Sequence, residues 1–539
     1  METIKETQGE LLSDPTPQDG RTPEAKTRSK TAVLQNPLAN MTHDELVTDA
    51  ENFAQDKGLD SYRPWFSKGA LIAKVINTPK GYEAIEELTE EDKELLRNED
   101  EHRWKSQPKM LYFLCALCAG CAIVQGMDQT VINGAQHFYF EEYKIKDRAL
   151  QGLTNGAPYA SAALIGCWLN APLNRYFGRR GTIAFSCLLA FVTGIWQAAA
   201  NSWTCLLIAR FTLGLAVGAK SSTTPVYAAE CAPKAIRGAL TMMWQMWAAF
   251  GIMLGFASSL AFQNIKWPNQ YAPWRWMIGS TALPPLIVGL LIFLLPESPR
   301  CCWDFYLAWK FLEAEQNSKE GRKTLKELFT VRRNWRAAQS SWFCMLMQQF
   351  CGVNVIAYYS TKIFTDAGYT RSQALLASFG GGTINWVFAL PAIWTIDTFG
   401  RRNLLAEAFP LHIRALGMAS ATSITWSFNF LLSLTWPMME KSFKPSGAFY
   451  WYATWNVVGS VFTYFLLPET KALSLEELDI VFSVRNRDHV RYYSKRMGWY
   501  AKRLMGRSPD PMPPLYELEN STVGSMSGEA VKQTNSSSV

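Results

Sequence analysis

One acidic residue, Asp128, stands in the apolar run Leu111–Val131. An unpaired charge deep in a hydrocarbon layer costs at least ~2.5 kcal/mol. It therefore needs a proton or a partner, and Arg210, in another apolar run, is the best candidate partner. Two kinds of chemistry fit. Asp128 could bind and release a proton, with Arg210 favouring its charged form in one state. Alternatively the two form a static ion pair that locks two helices together. A second set is made of amides in apolar runs: Gln245, Gln348, Gln349 and Asn354. An amide donates and accepts at fixed geometry without charge, which suits a ligand built of hydroxyls. The same groups also serve as hydrogen-bonding glue between helices. On an ideal helix Gln348 and Gln349 point about 100° apart, and Asn354 about 120° from Gln348. All three reach one pocket only if the helix bends, and Gly352 between them permits that. Tyr359 and Trp426 could stack on the apolar face of such a ligand, although single aromatics at helical spacing are more often core.

Helices that cross a bilayer must position these groups. Of the 539 residues 48% are hydrophobic and 13% aromatic, with 21 Trp. The mean hydropathy of only -0.06 hides an uneven distribution, with polar ends around a strongly apolar middle. A span needs roughly 20 apolar residues. The runs of that kind are Leu111–Val131, Leu153–Leu173, Thr182–Ala199, Leu206–Tyr227, Leu240–Phe262 and Trp276–Leu295. After a polar stretch come Ser340–Phe364, Gln373–Ile396, Ile413–Trp436 and Phe449–Leu467. The expectation is an all-α, polytopic membrane protein of about ten spans, six plus four. Its parts are a soluble tail over 1–109, a six-helix bundle over 110–299 and a polar central loop over 300–338. A shorter bundle over 339–468 and a second tail over 469–539 follow. A solvated helix is expected over Tyr82–Arg103.

The basic residues fall between spans on one side, as positive-inside bias requires, which places both tails in the cytosol. Met1–Ala50 holds no apolar core of signal-peptide length, so the first insertion signal is expected to be internal. The net charge of +7 does not form a stripe and excludes a nucleic-acid surface. The 11 Cys are scattered without metal spacing, so neither a metal site nor a disulfide framework is implied. No phosphate-cradling GxxxxGK[ST] is present, which speaks against ATP drive and against an enzyme; no cofactor is expected.

The two halves repeat each other. Gly178-Arg179-Arg180, Glu230 with Arg237, and Pro296-Glu297 in the first half answer to Gly400-Arg401-Arg402, Glu407 with Arg414, and Pro468-Glu469 in the second. Glu to Arg is seven positions in both. From the Gly to the Glu, however, is 52 positions in the first half and seven in the second. Seven residues cover only about 10 Å as helix and cannot cross a bilayer. The second half is therefore expected to lack a helical hairpin. The loss of two helices preserves the topology beyond the gap. These Arg and Glu residues gather on the cytosolic side, as an inner gate of ion pairs or as topology signals only.

In combination these motifs resemble the sugar porters of the major facilitator superfamily, in their fungal form, over about Leu111 to Asp479. Carrying the resemblance are Val124-Gln-Gly-Met-Asp128-Gln-Thr, Arg210-x-x-x-Gly214-x-x-x-Gly218, Pro225-Val-Tyr227-Ala-Ala-Glu230, Gln348-Gln349-Phe-Cys-Gly352-Val-Asn354 and Pro468-Glu-Thr-Lys. The resemblance implies twelve helices in two pseudo-symmetric six-helix bundles around a midplane sugar site. It implies sugar contact for the Gln-Gln-x-x-Gly-x-Asn set and for Asn385, and proton symport through Asp128. Arg175 and Thr425 depart from the family pattern, and the ninth and most of the tenth helix are missing near Leu405–Ala406. The expected function is secondary transport of a monosaccharide or related polyol by alternating access, in a monomer at the plasma membrane. A non-transporting sugar receptor is the first rival and an inactive truncated product the second. With the hairpin missing, poor transport is expected of this chain.

Overall fold

The computed structural model describes residues 38, 41–56, 58–75, 81–101, 109–231, 237–265, 267, 271–295, 328–391, 414–467 and 486–505. Two compact units emerge, one of residues 1–89 with 301–320 and one of 90–300 with 321–539.

In the first unit, helices α1 (His43–Asp56) and α2 (Arg63–Val75) pack together. Along α1 the buried residues Leu46, Ala50, Phe53 and Ala54 recur at helical spacing. Phe53 meets Phe66 of α2 edge to face, with ring centroids 5.7 Å apart. Thr42 and Glu45 exchange side-chain hydrogen bonds with each other's backbone N–H and so start α1. The tail thus contains a small packed helical pair. The expected solvated helix is present as α3 (Glu90–Glu101), preceded by a 3-10 turn at Gly81–Ala84.

The second unit, which opens with α3, is built of helices joined by short turns in its described residues. Its first half holds α4 (Lys109–Glu142), α5 (Arg148–Ser161), α6 (Asn170–Ala198), α7 (Trp203–Cys231), α8 (Arg237–Phe262), α9 (Pro273–Ser280) and α10 (Leu283–Leu291). Its second half holds α11 (Arg332–Phe350), α12 (Val353–Asp366), α13 (Arg371–Ala389), α14 (Arg414–Leu466) and α15 (Asn486–Leu504). Among the described residues five segments are long and apolar enough to cross a bilayer unaided: 109–142, 170–198, 203–228, 243–262 and 273–294. The other expected spans are interrupted helices or carry polar faces. α5 runs into a π-turn over Ala162–Gly166. Within α6, Gly178 takes φ 68°, and the chain kinks there between expected spans two and three. α11 and α12 meet at Gly352, which has φ 82°. α11 begins at Arg332, inside the stretch expected to be loop, because Asn334 and Arg336 are buried. α14 doubles back. The rings of Trp436 and Tyr452 lie 6.3 Å apart, where a straight helix would hold them about 24 Å apart.

Small residues set the helix spacing, since lipid supplies no hydrophobic drive between spans. A Cβ on Gly126 would lie 2.1 Å from the Ala248 carbonyl oxygen, and one on Gly251 would lie 2.4 Å from that of Ile123. The backbones of α4 and α8 therefore touch. α5 and α7 meet in the same way at Gly214, where a Cβ would lie 2.0 Å from the Pro158 carbonyl oxygen. The outer surface carries exposed Leu188, Ile195, Leu290, Phe293 and Phe388. Such an apolar surface belongs in a bilayer.

These contacts generate a paired test. Gly214→Leu should force α5 from α7 and cost about 3 kcal/mol or more, read as loss of monodisperse protein in detergent. Gly380→Ala, where a Cβ meets nothing within 4 Å, should leave the melting temperature unchanged or slightly raised.

Candidate functional site at the seam between the halves

The site is built where α4, α5 and α7 of one half meet α12 and α14 of the other. Gly352 ends α11 and restarts the chain as α12 in a new direction. The break brings Asn354 back to Gln349, and Asn354 Nδ2 donates to Gln349 Oε1 at 2.6 Å. The same Nδ2 lies 3.1 Å from Asn429 Oδ1 on α14, which also accepts from the Tyr358 hydroxyl at 2.8 Å. Gln349 and Asn429 are each 2% exposed. Gln348 points elsewhere and is exposed, as are Gln245 and Asn385. Of the expected amides, then, Gln349 and Asn354 share one network, with Asn429 and Tyr358 as members not anticipated.

Aromatic rings continue the network across the seam. Tyr159 of α5 stacks on Tyr358 at 5.2 Å and on Trp426 at 5.5 Å. Trp426 Nε1 donates to Ser221 Oγ of α7 at 3.0 Å. Tyr359 is buried, and its hydroxyl donates to the Ser433 carbonyl at 2.8 Å. Both expected stacking residues are therefore committed to protein partners in this conformation.

α4 and α12 are sewn together nearby. Asn133 Nδ2 donates to the Ala357 carbonyl at 3.1 Å and to Ser360 Oγ at 2.7 Å. Its Oδ1 accepts from the Thr361 N–H at 3.2 Å. Gln136 Nε2 donates to the Tyr358 carbonyl at 3.2 Å, and Gln136 Oε1 accepts from Asn155 at 2.8 Å. Arg371 of α13 pairs with Glu141 at 3.3 Å. α4 rises from Lys109 to Glu142, and α5 with the start of α6 returns to the Gly178 kink. These contacts join the halves on the side away from Gly178, and on the Gly178 side Val226 of α7 packs against Met418 of α14.

Asp128 lies on α4 with Oδ2 buried and without a hydrogen-bond partner. No ion pair joins it to Arg210 among the described residues. Arg210 Nε instead donates to the Thr154 carbonyl at 2.7 Å, and Nη2 donates to that of Asn155 at 2.9 Å. The reason lies in α5. Pro158 has no N–H, so the Thr154 carbonyl has no intrahelical donor, and Arg210 fills the gap. Signals for these partners were present in the sequence: Pro158 inside an apolar run, and Asn133, Gln136 and Asn155 as further amides.

Of the expected gate, Arg180 Nη1 donates to the Leu295 carbonyl at 2.7 Å, and Arg179 stands beside it in α6. Glu230, Arg237 and Arg414 fall on helical backbone, but their side chains lie outside the described residues. Glu297, Arg401, Arg402, Glu407 and Glu469 lie outside them altogether. Among the described residues no group of His, Cys, Asp or Glu could hold a metal ion.

The family model for sugar (and other) transporters matches this chain over residues 114–406 and 404–482, two stretches that meet where the repeat spacings disagree. The galactose-proton symporter of Escherichia coli (strain K12) is 28% identical over 453 residues, covering 70% of this chain and 95% of that protein. The myo-inositol transporter FST1 of Gibberella moniliformis is 26% identical over 466 residues, covering 70% and 80%. Among solved structures, the major facilitator proton:xylose symporter XylE bound to 6-bromo-6-deoxy-D-glucose superposes with a TM-score of 0.60. It is 23% identical, over 69% of this chain and 99% of XylE. The chain is a multi-pass membrane protein with the major facilitator fold and belongs to the sugar (and other) transporter family.

Proposed function

We propose that this architecture is that of a secondary active transporter for a monosaccharide or related polyol, driven by protons and working by alternating access. The observation that carries the reading is the amide and aromatic network at the seam. It is uncharged, rich in paired donors and acceptors, and built from both halves, so a ligand there would feel the halves move. Gln349 and Asn354 serve as sugar ligands, with Gln245, Gln348 and Asn385 joining from surfaces now exposed. Tyr359 and Trp426 line the site. Asp128 is the proton-binding group, since a buried carboxylate in a hydrocarbon layer is stable either neutral or beside an opposite charge, and so can alternate between the two. Arg210 orders α5 beside it. The galactose-proton symporter similarity and the myo-inositol transporter similarity support this substrate class.

The contacts across the seam belong to one state of the cycle, and opening toward the Gly178 side requires parting Val226 from Met418. There the basic and acidic residues of the GRR turns form the inner gate. With both termini cytosolic, that side faces the cytosol of a plasma-membrane protein acting as a monomer.

One observation favours a second reading for this chain as it stands. The seven-residue interval between Gly400 and Glu407 leaves no room for a hairpin, and the family match divides at the same place. The alignment to the galactose-proton symporter spans 453 residues yet takes in 70% of a 539-residue chain, so that relative carries residues absent here. A chain without the hairpin binds sugar with an incomplete site, as a receptor or an inactive product.

Asn354→Ala should weaken binding of labelled galactose, xylose or myo-inositol to the purified chain by roughly fivefold to tenfold. Unchanged affinity for every ligand that the parent binds would remove this amide from the site. Sequencing the mature transcript across Leu405–Ala406 should reveal additional in-frame codons for two helices. An uninterrupted junction would make the shortened protein real and favour the receptor or inactive reading.

A further inference from the structure

Lys220 lies on α7 inside the first half and is only 1% exposed. Its Nζ has no hydrogen-bond partner among the described residues. An ammonium buried in this way carries a desolvation cost that an opposite charge offsets. Helical register identifies that charge. Tyr227 of α7 and Cys121 of α4 pack in one apolar cluster with Ile183, Cys187 and Val288. Lys220 stands seven residues before Tyr227, and Asp128 seven residues after Cys121. Seven residues are two turns, about 10.5 Å along the same helix face. The two helices run in opposite directions, so both steps lead the same way across the bilayer. The ammonium and the carboxylate arrive at one depth, on facing sides of one groove.

Arg210, the other buried cation of α7, is held by the α5 carbonyls. Lys220 has no such carbonyl partners among the described residues and is the cation left to face Asp128. Among the described residues, the other groups near Asp128 carry no formal charge: the Cys187 thiol of α6, the Tyr159 phenol of α5 and the Thr281 hydroxyl before α10. α8 meets α4 through Ala248, Gly251 and Gly255, and α12 meets it through Ser360 and the backbone of Ala357 and Tyr358.

We propose that Lys220 is the counter-charge of Asp128. When Asp128 is ionised, the two charges stabilise each other inside the first half. When a proton from solvent bonds to the carboxylate, Lys220 loses its partner and the packing of α4 against α7 loosens. Lys220 is thus a positioning residue for the proton site. Its consequence for transport rests on the symport reading, but the pair itself does not.

The test is a double-mutant cycle on the purified full-length chain, melted at pH 8 and at pH 5. Lys220→Met should lower the melting temperature by several degrees at pH 8 and should leave it unchanged or raise it under acid conditions that protonate the carboxylate, because the ammonium is then an orphan charge. In the Asp128→Asn background the same substitution should raise it, because the neutral pair leaves no orphan charge. Equal losses at both pH values, or losses that simply add in the double variant, overturn the proposal. If Lys220→Met yields no folded protein, recovery on adding Asp128→Asn supports the pair, and failure to recover counts against it. Proton uptake on sugar addition, recorded separately, tells the two ideas apart. A coupled pair without sugar-linked uptake leaves the pair standing and removes symport. Uptake that needs Asp128 with no coupling to Lys220 does the reverse.

Discussion

The hydrogen bonds from Asn133 to the backbone of α12 are the constraint on which the seam depends. In hydrocarbon a backbone carbonyl has no water to turn to, so each buried acceptor must find a donor in protein. Within α12, Asn133 and Gln136 of the opposite half donate to the Ala357 and Tyr358 carbonyls, whose second lone pairs the helix itself does not use. Closing the halves therefore satisfies polar groups as well as burying apolar area, since Tyr159, Leu213 and Val217 of the first half share a core with Val355, Tyr358 and Trp426 of the second. Such a closure is reversible at modest cost, since the same amides and carbonyls can be hydrated when the seam opens. Within the first half the helices approach more closely still. Backbone contact at Gly126, Gly251 and Gly214 fixes α4 on α8 and α5 on α7. Close backbone approach also joins the halves, since a Cβ on Gly152 of α5 would lie 2.9 Å from the Leu434 carbonyl oxygen of α14.

Much of this was legible in the sequence where a residue type clashed with its surroundings. Asp128, Gln349 and Asn354 stand out because they interrupt apolar runs, and the bend at Gly352 follows from a glycine set between amides that must converge. The apolar runs located the helices because bilayer thickness sets a minimum length. Partner choice was harder to read. Arg210 and Asp128 are opposite charges in neighbouring spans, yet the arginine goes to the carbonyl that Pro158 leaves free. A proline's effect four residues upstream is local chemistry that a charge inventory misses. Lys220 sits among Ser221, Ser222, Thr223 and Thr224, where it reads as part of a polar helix end, although it is in fact buried. The α1–α2 pair was hidden for the opposite reason. Its few apolar residues are diluted by charge, and only their recurrence at Leu46, Ala50 and Phe53 gives it away.

The repeat ties these observations together. Each half carries the same GRR turn and Glu-to-Arg interval, so each half predicts the other, and the shortfall between Gly400 and Glu407 stands out without any external reference. The amide network, Asp128 and the closed seam all lie in described parts of the fold that precede or follow that gap.

The most direct test is proton exchange by the purified chain in weak buffer as galactose, xylose or myo-inositol is added. The account expects at least one of them to draw protons from solution in a saturable way, and expects Asp128→Asn to abolish the signal while sugar binding persists. No saturable response to any sugar or polyol, or an undiminished response in Asp128→Asn, would contradict it.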